Sequence, residues 1–207
     1  MNQESITSFI NRLASDEPTP GGGAAVGIGA SMGVAAIMMA ARFSNTDRLE
    51  NEQRESLKTA LERLAFSKDK FLELVEADEE GFQPLAKAYR MPKSTEEEKQ
   101  KRQEAIEQGL AIASQAPARL LEEIRVVLNI VDDIFPLIKR VIISDIGVGT
   151  QLLLAAAQAS RLNLSINTRS MKDIENKAKY TTLRDELGAS IVIDAQTIQQ
   201  RVEETLG

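Results

Sequence analysis

Apolar positions recur at helical spacing along most of this chain. Ile6, Phe9, Ile10 and Leu13 predict a short amphipathic helix from about Glu4 to Ala14, ended by the segment leading to Pro18. Leu57, Leu61, Leu64, Phe71, Val75, Phe82 and Leu85 form a stripe at steps of three, four and seven. That stripe predicts a long helix from about Asp47 to Ala88, with Asn45, Thr46 and Asp47 as candidate caps. Ser94 to Glu97 has the pattern of a capping box and opens a helix over 95–114, with Ile106, Leu110 and Ile112 on its apolar side. Pro117 kinks that helix or separates it from the next, which carries Leu120, Leu121, Ile124, Val127, Leu128 and Val131 to about Phe135. Pro136 opens a connector. Val141 to Gly149 reads either as a strand with a glycine turn or as an apolar approach to Ser144 as N-cap, with Asp145 in the first helical turn. Nothing else alternates with period two to pair with a strand, which favours the helix start. Ile174, Leu183, Leu187, Ile191, Ile198 and Val202 predict two closing helices with a break near Gly188.

Two segments depart from this amphipathic pattern. From Pro18 to Ala41 there is no charged residue, and the segment is built from Gly, Ala, Val, Ile, Met and Ser. Pro18 and Pro20 hold its start out of a helix, Gly21, Gly22 and Gly23 follow, and from Ala24 the composition favours helix to about Ser44. Leu152 to Ala159 forms a second small-residue helix. Three readings stand for the first segment. It is a buried helix whose small side chains serve close packing; or a buried helix whose glycine-rich start also meets a ligand, since helix N-termini favour polar oxygens; or a membrane span. The absence of bulky side chains and of an aromatic belt speaks against the span. No internal repeat or linker interrupts the chain, and residues 1–207 are expected to form one domain.

Composition narrows the chemistry. The net charge of −6 and pI near 5.0 argue against a general nucleic-acid binder. With no cysteine and no histidine among the 207 residues, histidine triads, thiolate nucleophiles and histidine-ligated metals are excluded. Acid–base work falls to carboxylates, Lys, Tyr or water. Asp78 stands out because it lies on the apolar stripe, seven residues after Phe71 and four before Phe82, where a carboxylate is costly unless paired or used. Asp132 and Asp133 lack a third ligand at metal spacing and read as surface charge, so no metal is expected. Asn163 and Asn167 share a face if their helix persists. Met1 to Ser5 lacks the basic and apolar regions of a signal peptide, so the cytoplasm is the expected compartment.

Three motifs in this order, Pro18-Thr-Pro-Gly-Gly-Gly-Ala-Ala25, Ser144-Asp-Ile-Gly-Val-Gly149 and Leu162-Asn-Leu-Ser-Ile-Asn-Thr168, resemble the cyclodeaminase/cyclohydrolase family of folate one-carbon metabolism. Asp78 to Phe82 resembles the family's acidic segment, and Pro117 after Ala113 to Ala116 fits as well. Where some relatives carry asparagines just before Ser-Asp, this chain has Lys139, Arg140 and Val141. The residue pattern as a whole reads as all-α, a multi-helix bundle with two buried small-residue-rich helices, and its acidic charge and small-residue composition speak against nucleic-acid and membrane partners. The resemblance implies an all-helical fold assembled as an intertwined homodimer and a tetrahydrofolate derivative as substrate, and it does not imply a metal.

The activity so implied is formiminotetrahydrofolate cyclodeaminase, which closes 5-formiminotetrahydrofolate to 5,10-methenyltetrahydrofolate with loss of ammonia. The alternatives are methenyltetrahydrofolate cyclohydrolase on the same site and a helical dimer that binds folate without turnover. Asp78 and Asp145, with Ser144 beside the latter, are the candidate catalytic residues. Either carboxylate can move protons or hold the paired N–H donors of the pterin. Desolvation suits Asp78 to proton transfer, and a place at a helix start near Gly21 to Gly23 suits Asp145 to holding the ligand. Thr19, Pro20, Gly21, Gly22, Gly23, Asn163 and Asn167 are candidate substrate-binding residues. Arg140, with Lys139, Arg161 and Arg169, is the candidate partner of the acidic glutamate tail.

Overall fold

The computed structural model describes residues 4–207. Met1, Asn2 and Gln3, which entered the expectation about a signal peptide, lie outside them. The described residues form helices α1 (Ile6–Leu13), α2 (Gly22–Ser44), α3 (Asn51–Tyr89), α4 (Glu96–Ala113), α5 (Gln115–Ile134), α6 (Ile143–Ser170), α7 (Ile174–Thr182) and α8 (Gly188–Leu206). Among them there is no strand. Two 3-10 turns, Phe135–Leu137 and Arg140–Ile142, carry the chain from α5 into α6, and a π-helical turn over Leu183–Leu187 joins α7 to α8 at the expected break.

Several starts fall elsewhere than the sequence predicts. α3 begins at Asn51 with Glu50 as N-cap, and Glu50 and Gln53 form a reciprocal capping box. The box of α4 is one residue later than Ser94–Glu97, with Thr95 accepting from the Glu98 N–H at 3.2 Å and Glu98 reaching back to the Thr95 N–H at 3.1 Å. Ser144 is not an N-cap: α6 starts at Ile143, Ile142 is its unassisted cap, and Ser144 lies exposed inside the first turn. Asp145 does fall in that turn.

α2 and α6 run antiparallel at the centre. Ser44 Oγ accepts from the Lys139 N–H at 3.0 Å, joining the end of α2 to the approach of α6. Midway, their backbones touch: a Cβ on Gly33 would come within 2.8 Å of the Gly149 carbonyl oxygen, and one on Gly149 within 2.6 Å of Ile37. The small side chains are therefore required by the crossing, not merely tolerated. The inner faces of both helices join one apolar core with α3, α5 and α8, in which Ile37, Leu64, Phe71, Leu121, Ile124, Leu153 and Ile191 are fully buried.

Both helices are long and apolar enough to cross a bilayer by length and composition. The packing of their inner faces accounts for that apolarity without one. Neither is buried all round within one chain. Met32, Met39 and Phe43 on α2 and Val148, Leu162 and Ile166 on α6 remain exposed.

α3 continues without a break past Gly81 and through Pro84. Its regular path fixes the direction of Asp78. Asp132 and Asp133 are exposed, and Asp132 pairs with Arg201. A second acidic group, Glu123, is buried in the α3–α5 contact, where it accepts from Ser67 Oγ at 2.6 Å and pairs with Lys70 at 3.2 Å.

Candidate active site

A cavity of about 250 Å3 opens where the start of α2 meets the C-terminal third of α3 and the second half of α6. Pro18, Thr19, Gly21, Gly22 and Gly23 form one wall, Asp78 and Phe82 a second, Asn163, Ile166 and Asn167 a third, and Ala113 closes it from the end of α4. Each wall follows from local sequence. Pro18 and Pro20 keep the approach extended, the Thr19–Pro20 peptide is cis, and Gly21 caps α2 with no side chain of its own. Asp78 and Phe82 are four apart on α3, and Asn163 and Asn167 four apart on α6, so each pair shares a helix face.

The missing cap of α2 is supplied from α3. The Ala24 N–H donates to the Asp78 carboxylate, which sits against the first turn of α2. Gly23 makes this possible, because a Cβ there would overlap the carboxylate. Burial pushes the Asp78 carboxyl up from 3.8 to about 6, and the neighbouring Glu79 charge adds to the rise. The Ala24 N–H opposes both by stabilising the ionised form. Glu79 is braced from α1, whose Arg12 Nη2 lies 3.6 Å from its Oε2 while Nη1 pairs with Glu4 at 2.8 Å. Among the residues lining the cavity, Asp78 is the one ionisable side chain.

The arrangement suits a flat, polar heterocycle. Phe82 and Ile166 offer apolar faces, the two asparagines offer amide donors and acceptors, and one carboxylate can exchange a proton near neutral pH. Among the described residues no group of three or more His, Cys, Asp or Glu side chains is arranged to hold a metal.

Of the sequence-derived site residues, Asp78, Thr19, Gly21, Gly22, Gly23, Asn163 and Asn167 come together here. Pro20 is buried just behind the wall. Ser144, Asp145 and Arg140 do not join them within the chain. Asp145 lies 18 residues before Asn163 on the same helix, roughly 27 Å away at 1.5 Å per residue. Within one chain Asp145 therefore lies far from Gly21 to Gly23, beside which the sequence reading expected it. The antiparallel α2–α6 pairing sets the start of α6 against the end of α2 instead. Arg140 sits at that far end, donating from Nη2 to the Leu206 carbonyl at 3.1 Å. Phe82, Ala113 and Ile166 were not singled out as site residues. The signal for Phe82 and Ile166 was their spacing, four after Asp78 and three after Asn163.

The chain is similar to several known proteins. Residues 5–186 match the family model described as formiminotransferase-cyclodeaminase. A methenyltetrahydrofolate cyclohydrolase of Methylorubrum extorquens is 29% identical over 203 residues, covering 98% of this chain and 96% of that protein. The formimidoyltransferase-cyclodeaminase of Gallus gallus is 26% identical over 178 residues, which is 86% of this chain but 33% of that longer protein. The crystal structure of a formiminotetrahydrofolate cyclodeaminase from Thermotoga maritima has the same fold, with a TM-score of 0.87 at 21% identity, covering 99% of this chain and 98% of that one. With most of its length matched by the family model and its fold shared with the Thermotoga structure, this chain belongs to the formiminotransferase-cyclodeaminase family.

Proposed function

We propose that this protein is a folate one-carbon enzyme that closes 5-formiminotetrahydrofolate to 5,10-methenyltetrahydrofolate and ammonia, with Asp78 as the proton-transfer group. The observation that carries this reading is a half-buried carboxylate, raised to about 6, fixed at the wall of a cavity lined by asparagine amides and apolar faces. In the protonated formimino group, N10 attacks the carbon and forms a tetrahedral centre. Asp78 takes the N10 proton. It then returns that proton to the amino group, which leaves as ammonia while N5 and N10 share the positive charge of the methenyl bridge. A carboxyl near pH 6 is mostly ionised at neutral pH, ready to accept, and its conjugate acid is strong enough to donate. Asn163 and Asn167 hold polar edges of the pterin, with Thr19 and the Gly21–Gly23 backbone on the opposite wall. No metal takes part in this scheme.

A second reading has one observation in its favour. The Methylorubrum cyclohydrolase matches this chain along nearly its whole length. There Asp78 would take the proton from a water attacking the same methenyl carbon, giving the formyl product. Ultraviolet absorbance separates the two. Appearance of methenyl-folate from 5-formiminotetrahydrofolate, with ammonia, supports cyclisation. Its loss above the spontaneous rate supports hydrolysis. Neither, with folate bound, leaves a binding protein and refutes both.

We further infer that the chain acts as a single helical domain and as a homodimer in the cytoplasm. One apolar core joining α2 to α8 supports the first. The exposed apolar face of α2 and α6 supports the second. The highly charged outer surface of α4 supports an aqueous compartment.

A further inference from the structure

We propose that Arg12 is a positioning residue for proton transfer: from α1 it holds the Glu79 carboxylate toward itself and offsets its charge, so that Asp78 feels its acidic neighbour only in part. The proposal rests on the reading of Asp78 as the proton-transfer group and names what sets that group's proton affinity.

α1 is fastened to α3 at two points along one seam. Phe9 is buried with Ala24 and Val75 in a small apolar cluster separate from the main core, flanked by Leu13 and Ile28. Three residues after Phe9, Arg12 reaches Glu79, which stands four residues after Val75. Steps of three and four keep Phe9 with Arg12, and Val75 with Glu79, on single helix faces. The ion pair is therefore the next contact along the seam that Phe9 begins. That seam lies directly behind the cap on α2, because Ala24 both packs on Phe9 and donates its N–H to Asp78. Arg12 is itself held in place. Its Nη1 pairs with Glu4 at 2.8 Å, and Ser8 Oγ donates to the other Glu4 oxygen at 2.9 Å. The Glu4 and Glu79 side chains are only 18% and 25% exposed, so solvent screens these pairs less than it screens a pair in open water.

The pairing matters because few other groups act on Asp78. α2 brings the Ala24 N–H and no charge, since residues 18–41 carry none. α6 brings Asn163 and Asn167, and α4 brings Ala113, none of which ionises. On α3 itself Glu79 is the adjacent carboxylate, while Glu76 and Glu80 are exposed. α1 brings Arg12, with Glu4 behind it, and Asp16 and Glu17 on the connector to α2 are exposed. Burial is the first cause of the raised Asp78 carboxyl and the Glu79 charge the second. Adjacent carboxylates raise each other's proton affinity more as they approach. With Arg12 in place, Glu79 is drawn toward α1 and its charge is shared. Without Arg12, Glu79 would act on Asp78 in full, and Asp78 would stay protonated closer to neutral pH, where it is needed as a base.

The test is a direct titration of Asp78 that needs no turnover. Protein labelled with carbon-13 at the aspartate carboxyl is followed by NMR against pH, and the Asp78 signal is the one missing from Asp78→Asn. Wild type should show a midpoint near 6. Arg12→Gln should raise it by about 0.5–1 pH unit, the scale of one uncompensated charge roughly 7 Å away at an effective dielectric of about 40–80. Arg12→Lys, which keeps the cation, should stay near wild type. Glu79→Gln should lower the midpoint, and adding Arg12→Gln to Glu79→Gln should move it little further, because the effect runs through Glu79. A midpoint unchanged or lowered in Arg12→Gln overturns the proposal. A fall is what a purely structural clip predicts, since loosening α1 would wet Asp78. An upward shift of full size that persists in the Glu79→Gln background also overturns it, because Arg12 would then act on Asp78 directly. If the midpoints move as expected while methenyl-folate is neither made nor consumed, the assigned reaction fails and the control of Asp78 by Arg12 stands.

Discussion

Replacing Asp78 with asparagine should inactivate the protein and make it more stable. The side chain keeps nearly the same shape, and its amide oxygen can still accept from the Ala24 N–H, so the cap on α2 survives. What disappears is a charge held against its solvation preference. Raising a carboxyl from 3.8 to about 6 corresponds to about 3 kcal/mol at 1.36 kcal/mol per pKa unit. Partial exposure to solvent reduces the recoverable part to roughly 1–2 kcal/mol. The sign follows from linkage. The folded state binds the Asp78 proton more tightly than the unfolded state does, so ionisation above about pH 6 penalises the fold, and below about pH 4 the penalty is gone. Thermal unfolding at pH 7.5 should show the variant about 3–6 °C above wild type, and the two should converge by pH 4. Turnover should fall by about 100-fold or more, the scale of a lost general acid–base. A variant that melts below wild type at pH 7.5, or a stability difference equal at pH 4 and pH 7.5, would refute the account of a desolvated carboxylate.

Gly23→Ala drives a methyl group into the Asp78 carboxylate and should cost about 1–3 kcal/mol in denaturant unfolding, with turnover lost in parallel. Asn163→Ala and Asn167→Ala should each weaken folate binding by about 1 kcal/mol, read as a roughly fivefold rise in Kd by titration, with single-turnover rates little changed. Excess EDTA should leave turnover unaltered; loss of activity restored by one divalent ion would contradict a carboxylate mechanism without metal.

Much of this was legible before the structure, and the limits have physical causes. The stripe from Leu57 to Leu85 set α3 and placed Asp78 on its inner side, because burial on one face of a helix imposes that period. The Pro-Gly start of α2 and the Asn163–Asn167 spacing were visible as local chemistry. Helix caps were less so. Ser94 and Thr95 both precede a run of glutamates, so two registers satisfy the same local rule, and Thr95 is the one used. α3 passed over Asn45 to Asp47 and began at Asn51 for the same reason: a reciprocal pair was available at Glu50 and Gln53. The location of Asp145 was beyond local reading altogether. Its distance from the cavity depends on the antiparallel crossing of α2 and α6, which is set by the Gly33–Gly149 contact, 116 positions apart in sequence. No periodicity encodes such a contact. The exposed faces of α2 and α6 read as core for a related reason: hydrophobicity records that a face is apolar, not whether the same chain or a second copy covers it.

The central claim is that a carboxyl raised to about 6 moves the proton in a folate cyclisation. The most direct measurement is the pH dependence of kcat/KM for methenyl-folate formation in wild type and Asp78→Asn, since that parameter reports ionisations of the free enzyme. The account predicts a wild-type rate that falls below an inflection near pH 6 as the base is protonated, and a residual rate in the variant with no inflection there. A wild-type profile flat from pH 5 to pH 7, or the same inflection persisting in Asp78→Asn, would contradict it.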